Sequence, residues 1–200
     1  RSSEITTKLY STSFSFGIKV LDRQLHKYIY AIYGFVRLAD EIVDTFHDFD
    51  KETLLLKFKN DTNLAIKNRI SLNPILNSFQ DVVNSYNIDL VLVDTFLNSM
   101  EMDLNPTLYD KSKYEKYILG SAQVVGLMCL KVFVNGNEIQ YNELKPHAMS
   151  LGSAFQKINF LRDIKADFKD LGRTYFPNVN INTFSNDDKL IIERDIQKDF

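Results

Sequence analysis

The most informative segment of the sequence reads Ala31-Ile32-Tyr33-Gly34-Phe35-Val36-Arg37-Leu38-Ala39-Asp40-Glu41-Ile42-Val43-Asp44. Its polar residues stand at steps of four, three and four: Tyr33, Arg37, Asp40 and Asp44. This spacing puts them on one face of an α-helix. Apolar residues cover most of the other faces, so we expect the polar line to face inward. Buried carboxylates need compensation, usually from an arginine or a metal ion.

A second polar line steps by four, three, four and four: Gly152, Gln156, Asn159, Asp163 and Asp167. Two such helices facing each other would form a cage of oxygen ligands, which Mg²⁺ prefers, with Mn²⁺ as a substitute. Because Mg²⁺ takes further ligands from phosphate groups, the implied substrate is a diphosphate. We therefore expect five metal ligands: Asp40, Asp44, Asn159, Asp163 and Asp167.

The alternative interpretation is that each acidic line is a solvated helix surface. A single Asp-x-x-x-Asp pattern is common by chance and favours this alternative. Two such patterns, with Arg37 and Arg162 beside them, favour the metal site.

The composition predicts an all-α protein with a single domain over residues 1–200. The chain has 200 residues with only seven Gly and four Pro, and long segments contain neither, which favours long helices. The net charge of −2 and the lack of a dense Lys/Arg cluster argue against a nucleic-acid partner. The sequence carries no nucleotide-binding fingerprint and no signal for an oligomeric state.

The periodicity predicts a short helix near the N-terminus and seven longer ones: 22–46, 51–69, 73–86, 89–103, 111–134, 138–168 and 187–200. The segment Ser11–Gly17 is rich in hydroxyls and predicts a turn whose hydroxyls either hold phosphate oxygens or cap a helix. Pro146 suits the first turn of a helix, so the range 138–168 is either one helix or two.

The single cysteine, Cys129, lies in the apolar run Val124–Leu130 and is expected in the core. We expect a cytoplasmic protein that at most touches a membrane surface, because that run is too short to span a bilayer. The chain begins at Arg1 and ends within a helical pattern, so we expect a domain that is incomplete at its C-terminus.

Six segments together resemble the squalene and phytoene synthases, the head-to-head isoprenoid synthases of the all-α terpenoid synthase fold. They occur in the order of that family and cover nearly the whole chain: Ser11–Phe14, Ala31–Asp44, Met100–Leu104, Tyr117–Gly126, Gly152–Asp167 and Gly172–Pro177. The resemblance implies a central cavity that holds two prenyl diphosphates with Mg²⁺ and no nucleotide cofactor. It also implies that the family's C-terminal helices are missing.

The resemblance implies roles for individual residues. Those with catalytic roles are Asp40, Asp44, Asp163, Asp167, Tyr33 and Arg37. Those that bind substrate are Ser11, Ser13, Phe14, Tyr33, Arg37, Tyr117, Ser121, Val125, Phe155, Gln156 and Arg162.

Within the family, the sequences of Tyr33–Arg37 and Gly126–Cys129 are most similar to those of bacterial phytoene synthases, which use geranylgeranyl diphosphate. Dehydrosqualene and squalene synthases, which use C15 diphosphates, are the alternative. A non-catalytic assembly or lipid-binding member is a further alternative, and the four intact aspartates argue against it.

Overall fold

The computed structural model describes residues 1–104, 109–170, 175–177 and 179–200, apart from the side chains of Ser13, Ala166, Asp170 and Ile181. These ranges contain helices and no strand, so the all-α prediction is confirmed. The α-helices are α1 (Ser2–Tyr10), α2 (Thr12–Val20), α3 (His26–Asp44), α4 (Lys51–Asn68), α5 (Pro74–Ser85), α6 (Leu90–Leu104), α7 (Lys111–Ile118), α8 (Val124–Phe133), α9 (Glu138–Asp170) and α10 (Asn186–Asp199). A π turn (Leu119–Gln123) joins α7 to α8, and a short 3₁₀ turn (Ile181–Thr183) precedes α10. Residues 172–174 of the last family-like segment lie outside the described residues.

Side-chain caps fix where several helices begin. Asp50, Asn73 and Asp110 each accept a hydrogen bond from a backbone N–H in the first turn of the helix that follows. Ser185 and Asp188 form a reciprocal capping box at α10. Such caps satisfy the amide donors that a helix leaves unpaired at its N-terminus.

The N-terminal segment differs from the prediction. The predicted turn at residues 11–17 is instead the start of α2, and Ser11 is its N-cap, with Oγ accepting from the amide of Phe14 at 3.1 Å. The helix predicted from residue 22 begins only at His26. A turn precedes it, in which the Leu25 amide donates to the Asp22 carbonyl at 2.9 Å.

Helix α9 runs without a break through Pro146. Proline removes one helical hydrogen bond and frees the carbonyl of the residue four positions earlier, here Asn142. Residues 142–147 are exposed, so water can satisfy that carbonyl. The second polar line therefore lies on one long helix.

Two buried clusters meet near the end of α6. The main core centres on α3, where the Phe35 ring stacks on Phe79 at 3.8 Å, with Phe96 of α6 beside them at 5.4 Å. The second cluster is aromatic and joins α7, α9 and α10; it includes Tyr114, Tyr117, Phe160, Tyr175 and Phe176. Helix α6 packs against both α3 and the π turn, and so connects the two clusters.

The continuous helix Lys111–Phe133 has the length and composition of a membrane span, with 23 residues and a mean hydropathy of 1.3. The apolar run Val124–Leu130, which is part of this helix, is by itself too short to span a bilayer. Half of its most apolar window, 50%, is buried inside the protein, where it packs against α6 and α9. This packing accounts for the apolar composition of the buried half.

Candidate functional site

Arg37 organises the polar line of α3. Its guanidinium donates to Asp40 at 2.6 Å and also pairs with Glu41. The ring of Tyr10, at the end of α1, lies 4.6 Å from the Arg37 Cζ atom. The arginine is thus held by two carboxylates and an aromatic face while 27% of its side chain stays exposed.

The carboxyl of Asp40 has a strongly perturbed proton affinity. Burial, together with the nearby charge of Asp44, raises the pKa of Asp40 to about 7, although Arg37 opposes the shift. The side chain nevertheless keeps 31% of its surface exposed. A carboxyl group that is costly to ionise on its own, but that solvent can reach, is suited to binding a cation.

Helix α2 places an aromatic side chain over the start of this line. The Phe14 ring stacks on Tyr33 with 4.5 Å between centroids. Burial raises the pKa of the Tyr33 hydroxyl, and a hydrogen bond with Ser11 partly offsets this. The structure therefore brings Ser11, Phe14 and Tyr33 together, whereas the Ser13 side chain lies outside the described residues.

A buried aspartate adjoins the first acidic line. The hydroxyl of Tyr117 donates to Asp103 at 2.6 Å, and the hydroxyl of Tyr175 lies 3.4 Å from the other carboxylate oxygen. The charge of Asp103 contributes to the raised pKa of Asp40, which places this network beside the α3 line. Sequence reasoning missed Asp103 and Tyr175 as site residues; the only signal for Asp103 was its place in the family-like segment Met100–Leu104.

The second polar line, on α9, has a packed N-terminal part and a more open C-terminal part. The Gln156 amide donates to the Ser121 hydroxyl at 3.2 Å, so these two predicted residues meet at the π turn. Val125 is half-buried and packs against the main core. The C-terminal part of the line is more open: Asn159 is exposed, and Arg162 pairs with Asp163 at 2.5 Å while Asp167 is half-buried.

Two further observations concern the predicted residues. The Phe155 side chain is 56% exposed, and its ring meets Phe200 of α10 edge-on. Among the described residues, no group of three or more His, Cys, Asp or Glu side chains is arranged to hold one metal ion. Like charges repel, and Asp40 and Asp163 each pair instead with an arginine of their own helix.

A separate cleft of about 960 Å³ lies between the first turn of α3 and the ends of α5 and α8. His26, Tyr28 and Tyr86 are among its lining residues. It contains none of the predicted site residues, so the chemistry of the side chains, rather than the volume of this cleft, identifies the candidate site.

Comparison with known proteins identifies the family. The family model described as squalene/phytoene synthase matches residues 7–196, which is nearly the whole chain. The chain belongs to the squalene/phytoene synthase family.

Curated members of the family are about 25% identical to the chain over the aligned residues. It is 25% identical to a 4,4'-diapophytoene synthase of Staphylococcus haemolyticus, over 94% of this chain and 65% of that protein. It is 25% identical to a phytoene synthase of Mycobacterium tuberculosis, over 88% of this chain and 57% of that protein. The chain therefore spans less than two thirds of the length of these relatives.

Solved structures show the same fold. A dehydrosqualene synthase in complex with a ligand superposes with a TM-score of 0.80 at 20% identity, covering 98% of this chain and 71% of that one. A squalene synthase from Alicyclobacillus acidocaldarius gives a TM-score of 0.76 at 22% identity, covering 88% of this chain and 65% of that one. The all-α terpenoid synthase fold is thereby confirmed.

Proposed function

We propose that this protein condenses two prenyl diphosphates head to head. One observation carries the proposal: a half-buried carboxylate, Asp40, lies close to Asp44 and is paired with Arg37. A site that must bind a metal diphosphate needs both an anionic pair for the cation and a guanidinium for phosphate oxygens.

The chemistry of these carboxylates suits Mg²⁺. Burial and the nearby charge of Asp44 make the Asp40 carboxylate costly to ionise, which a cation would offset, and hard oxygen ligands are those that Mg²⁺ prefers. Asp40 and Asp44 would hold Mg²⁺ on α3, with Asn159, Asp163 and Asp167 as the candidates on α9. When bound, Mg²⁺ would supply positive charge to the departing diphosphate.

The protein's own groups act on the allylic substrate. Arg37 and the Ser11 hydroxyl donate to phosphate oxygens as the C1–O bond breaks and the diphosphate leaves with the bonding electrons. The stacked Phe14 and Tyr33 rings present electron-rich faces to the allylic cation that remains. The double bond of the second substrate attacks C1, and the resulting cation loses a proton as the three-membered ring closes, which gives a cyclopropylcarbinyl diphosphate.

The second half of the reaction ionises that intermediate in turn, rearranges the cation and ends with loss of a proton. Water must be excluded throughout, because it would capture either cation. The aromatic cluster around Tyr117 and Phe160 supplies an apolar wall beside the acidic line.

For the product, we propose phytoene from two C20 geranylgeranyl diphosphates. The C15 reaction is the second candidate, because one relative is named a 4,4'-diapophytoene synthase and one similar structure is of a dehydrosqualene synthase. Squalene itself would additionally require a hydride from NADPH, whereas phytoene and dehydrosqualene require none.

The test is to incubate the whole protein with Mg²⁺ and either C15 or C20 diphosphate, with and without NADPH, and to identify the hydrocarbon by mass. Asp40→Asn is the matched inactive variant, since it keeps the side-chain shape and removes the charge. We expect a C40 hydrocarbon from the C20 substrate and at least about a hundredfold less from the variant. A C30 product would transfer the assignment to the C15 candidate, and no product from either substrate would leave a non-catalytic family member.

A further inference from the structure

Glu41 lies inside the first acidic cluster, but its burial and its hydrogen-bond partners differ from those of Asp40. Its side chain is only 9% exposed, whereas that of Asp40 is 31% exposed. Both of its carboxylate oxygens are engaged: Oε1 pairs with Arg37, and Oε2 accepts from the Thr45 hydroxyl at 2.7 Å. Glu41 therefore has little freedom to turn toward a cation.

Arg37 is shared between these two carboxylates. One terminal nitrogen, Nη1, donates to Asp40 at 2.6 Å, and the other, Nη2, pairs with Glu41. Asp40 is a proposed metal ligand, so a cation bound there competes with the Arg37 contact. Glu41 is then the carboxylate that keeps the guanidinium in place.

A third Arg37 donor points to a ligand. The Nε atom is buried and has no hydrogen-bond partner among the described residues. A buried, unsatisfied N–H is costly, and here it belongs to a guanidinium whose plane is already fixed at Glu41 and Tyr10. An anion with oxygen acceptors would satisfy both Nε and any donor released from Asp40.

We infer that Glu41 is a positioning residue: through Arg37, and braced by Thr45, it fixes the guanidinium that receives the diphosphate. This rests on the proposed function for the identity of the anion. It divides the cluster by role, with Asp40 and Asp44 for the cation and Glu41 for the arginine.

The test compares variants of the whole protein for binding of MgCl₂ and of inorganic pyrophosphate, each followed by the shift in melting temperature and by calorimetry. Glu41→Gln keeps the shape but loses the charge that holds Arg37. Thr45→Val removes, at an exposed position, the hydroxyl that lies within hydrogen-bond distance of both Oε2 and the backbone carbonyl of Glu41. Glu101→Gln is the control, because Glu101 also pairs with a cation, but with Lys59 of α4 rather than with Arg37.

With Glu41→Gln we expect the Mg²⁺ response to persist and pyrophosphate binding to weaken by about tenfold or more, since a hydrogen bond to a charged group is lost. Thr45→Val should weaken it less, and Glu101→Gln should leave it unchanged. In an Arg37→Lys background, Glu41→Gln should add little further loss, because its effect passes through Arg37.

Three results would overturn the inference: loss of the Mg²⁺ response in Glu41→Gln, unchanged pyrophosphate affinity, or additive losses in the double variant. If the wild type binds pyrophosphate but makes no hydrocarbon, only the proposed reaction fails. If the wild type binds no pyrophosphate, both proposals fail.

Discussion

The hydroxyl of Tyr117 donates a 2.6 Å hydrogen bond to the carboxylate of Asp103, and both residues are buried. Burial, and then the charge of Asp103, raise the pKa of Tyr117, so the hydroxyl remains a donor at any working pH. The bond joins α6 to α7 at the point where the main core meets the aromatic cluster. It therefore holds a buried carboxyl group beside the acidic line of α3.

Tyr117→Phe should destabilise the protein by about 1–3 kcal/mol, because a buried carboxylate loses its short hydrogen bond. The remaining contact, from the Tyr175 hydroxyl, is longer at 3.4 Å. Urea unfolding measures the change. Tyr114→Phe, on the same helix, is the control: burial, and then the charges of Asp195 and Asp199 rather than that of Asp103, raise the pKa of Tyr114. Equal losses in the two variants would show that the Asp103 bond contributes nothing specific.

Asp40→Asn should make the metal-free protein more stable at pH 8 than the wild type. The native state keeps a proton on Asp40 up to a pKa of about 7, whereas the ordinary pKa is 3.8. Between these values the unfolded chain binds fewer protons, so the Asp40 contribution to stability falls as the pH rises. The amide of asparagine does not ionise and escapes this loss.

The measurement is the free energy of unfolding at pH 4 and pH 8 in metal-free buffer. The gain from Asp40→Asn should be larger at pH 8, and added Mg²⁺ should stabilise the wild type more than the variant. Asp163→Asn is the control for lost charge, because the Asp163 side chain is 40% exposed and its pair with Arg162 is weak in stability terms. A gain of the same size at both pH values would contradict the assignment for Asp40.

The α3 line could be predicted because its signal is local. A helical period with apolar residues on the other faces leaves one polar stripe, and Tyr33, Arg37, Asp40 and Asp44 are indeed all half-buried. The family-like segments added the fold. Both predictions use information that is present in the sequence itself: the order of residues along one helix for the α3 line, and the resemblance to a known family for the fold.

The other features depend on which helix lies opposite. The sequence did not indicate, for example, that the Phe155 ring contacts Phe200 of α10. Glu41 looked like one more acid in a cluster until Thr45 and Arg37 were seen to occupy both of its oxygens. A lone acid such as Asp103, at the end of a helix, resembles a surface residue until its tyrosine partners are known.

Cys129 should be nearly inert toward thiol reagents in the native state. Burial raises the pKa of its thiol to about 12 from an ordinary 9.0, although the residue as a whole is only partly buried. At pH 8, alkylation by iodoacetamide should be up to roughly a thousandfold slower than in the denatured chain, because the thiolate is the nucleophile. The sequence has one cysteine, so mass spectrometry assigns the label directly. Equal rates before and after denaturation would show that the thiol is exposed.

Gly120 allows the π turn to approach α6 closely. A Cβ atom added there would lie 2.5 Å from the Ser99 Cβ and 2.8 Å from the Thr95 carbonyl oxygen. The carbonyl belongs to the α6 backbone and cannot rotate away, so the two helices would have to separate. We expect Gly120→Ala to cost about 1–3 kcal/mol in urea unfolding, as overpacking does.

Gly17→Ala provides the opposite case, because Gly17 is exposed on α2 and no atom lies within 4 Å of the added Cβ. There the gain in helix propensity should stabilise the protein by up to about 1 kcal/mol.

The separation caused by Gly120→Ala should also disturb the adjacent Ser121, which accepts from Gln156 at 3.2 Å. We therefore expect hydrocarbon synthesis by the whole protein to fall in Gly120→Ala even at temperatures where it stays folded, and to persist in Gly17→Ala. If Gly120→Ala unfolds at the same urea concentration as the wild type, the close approach of the π turn to α6 is wrong.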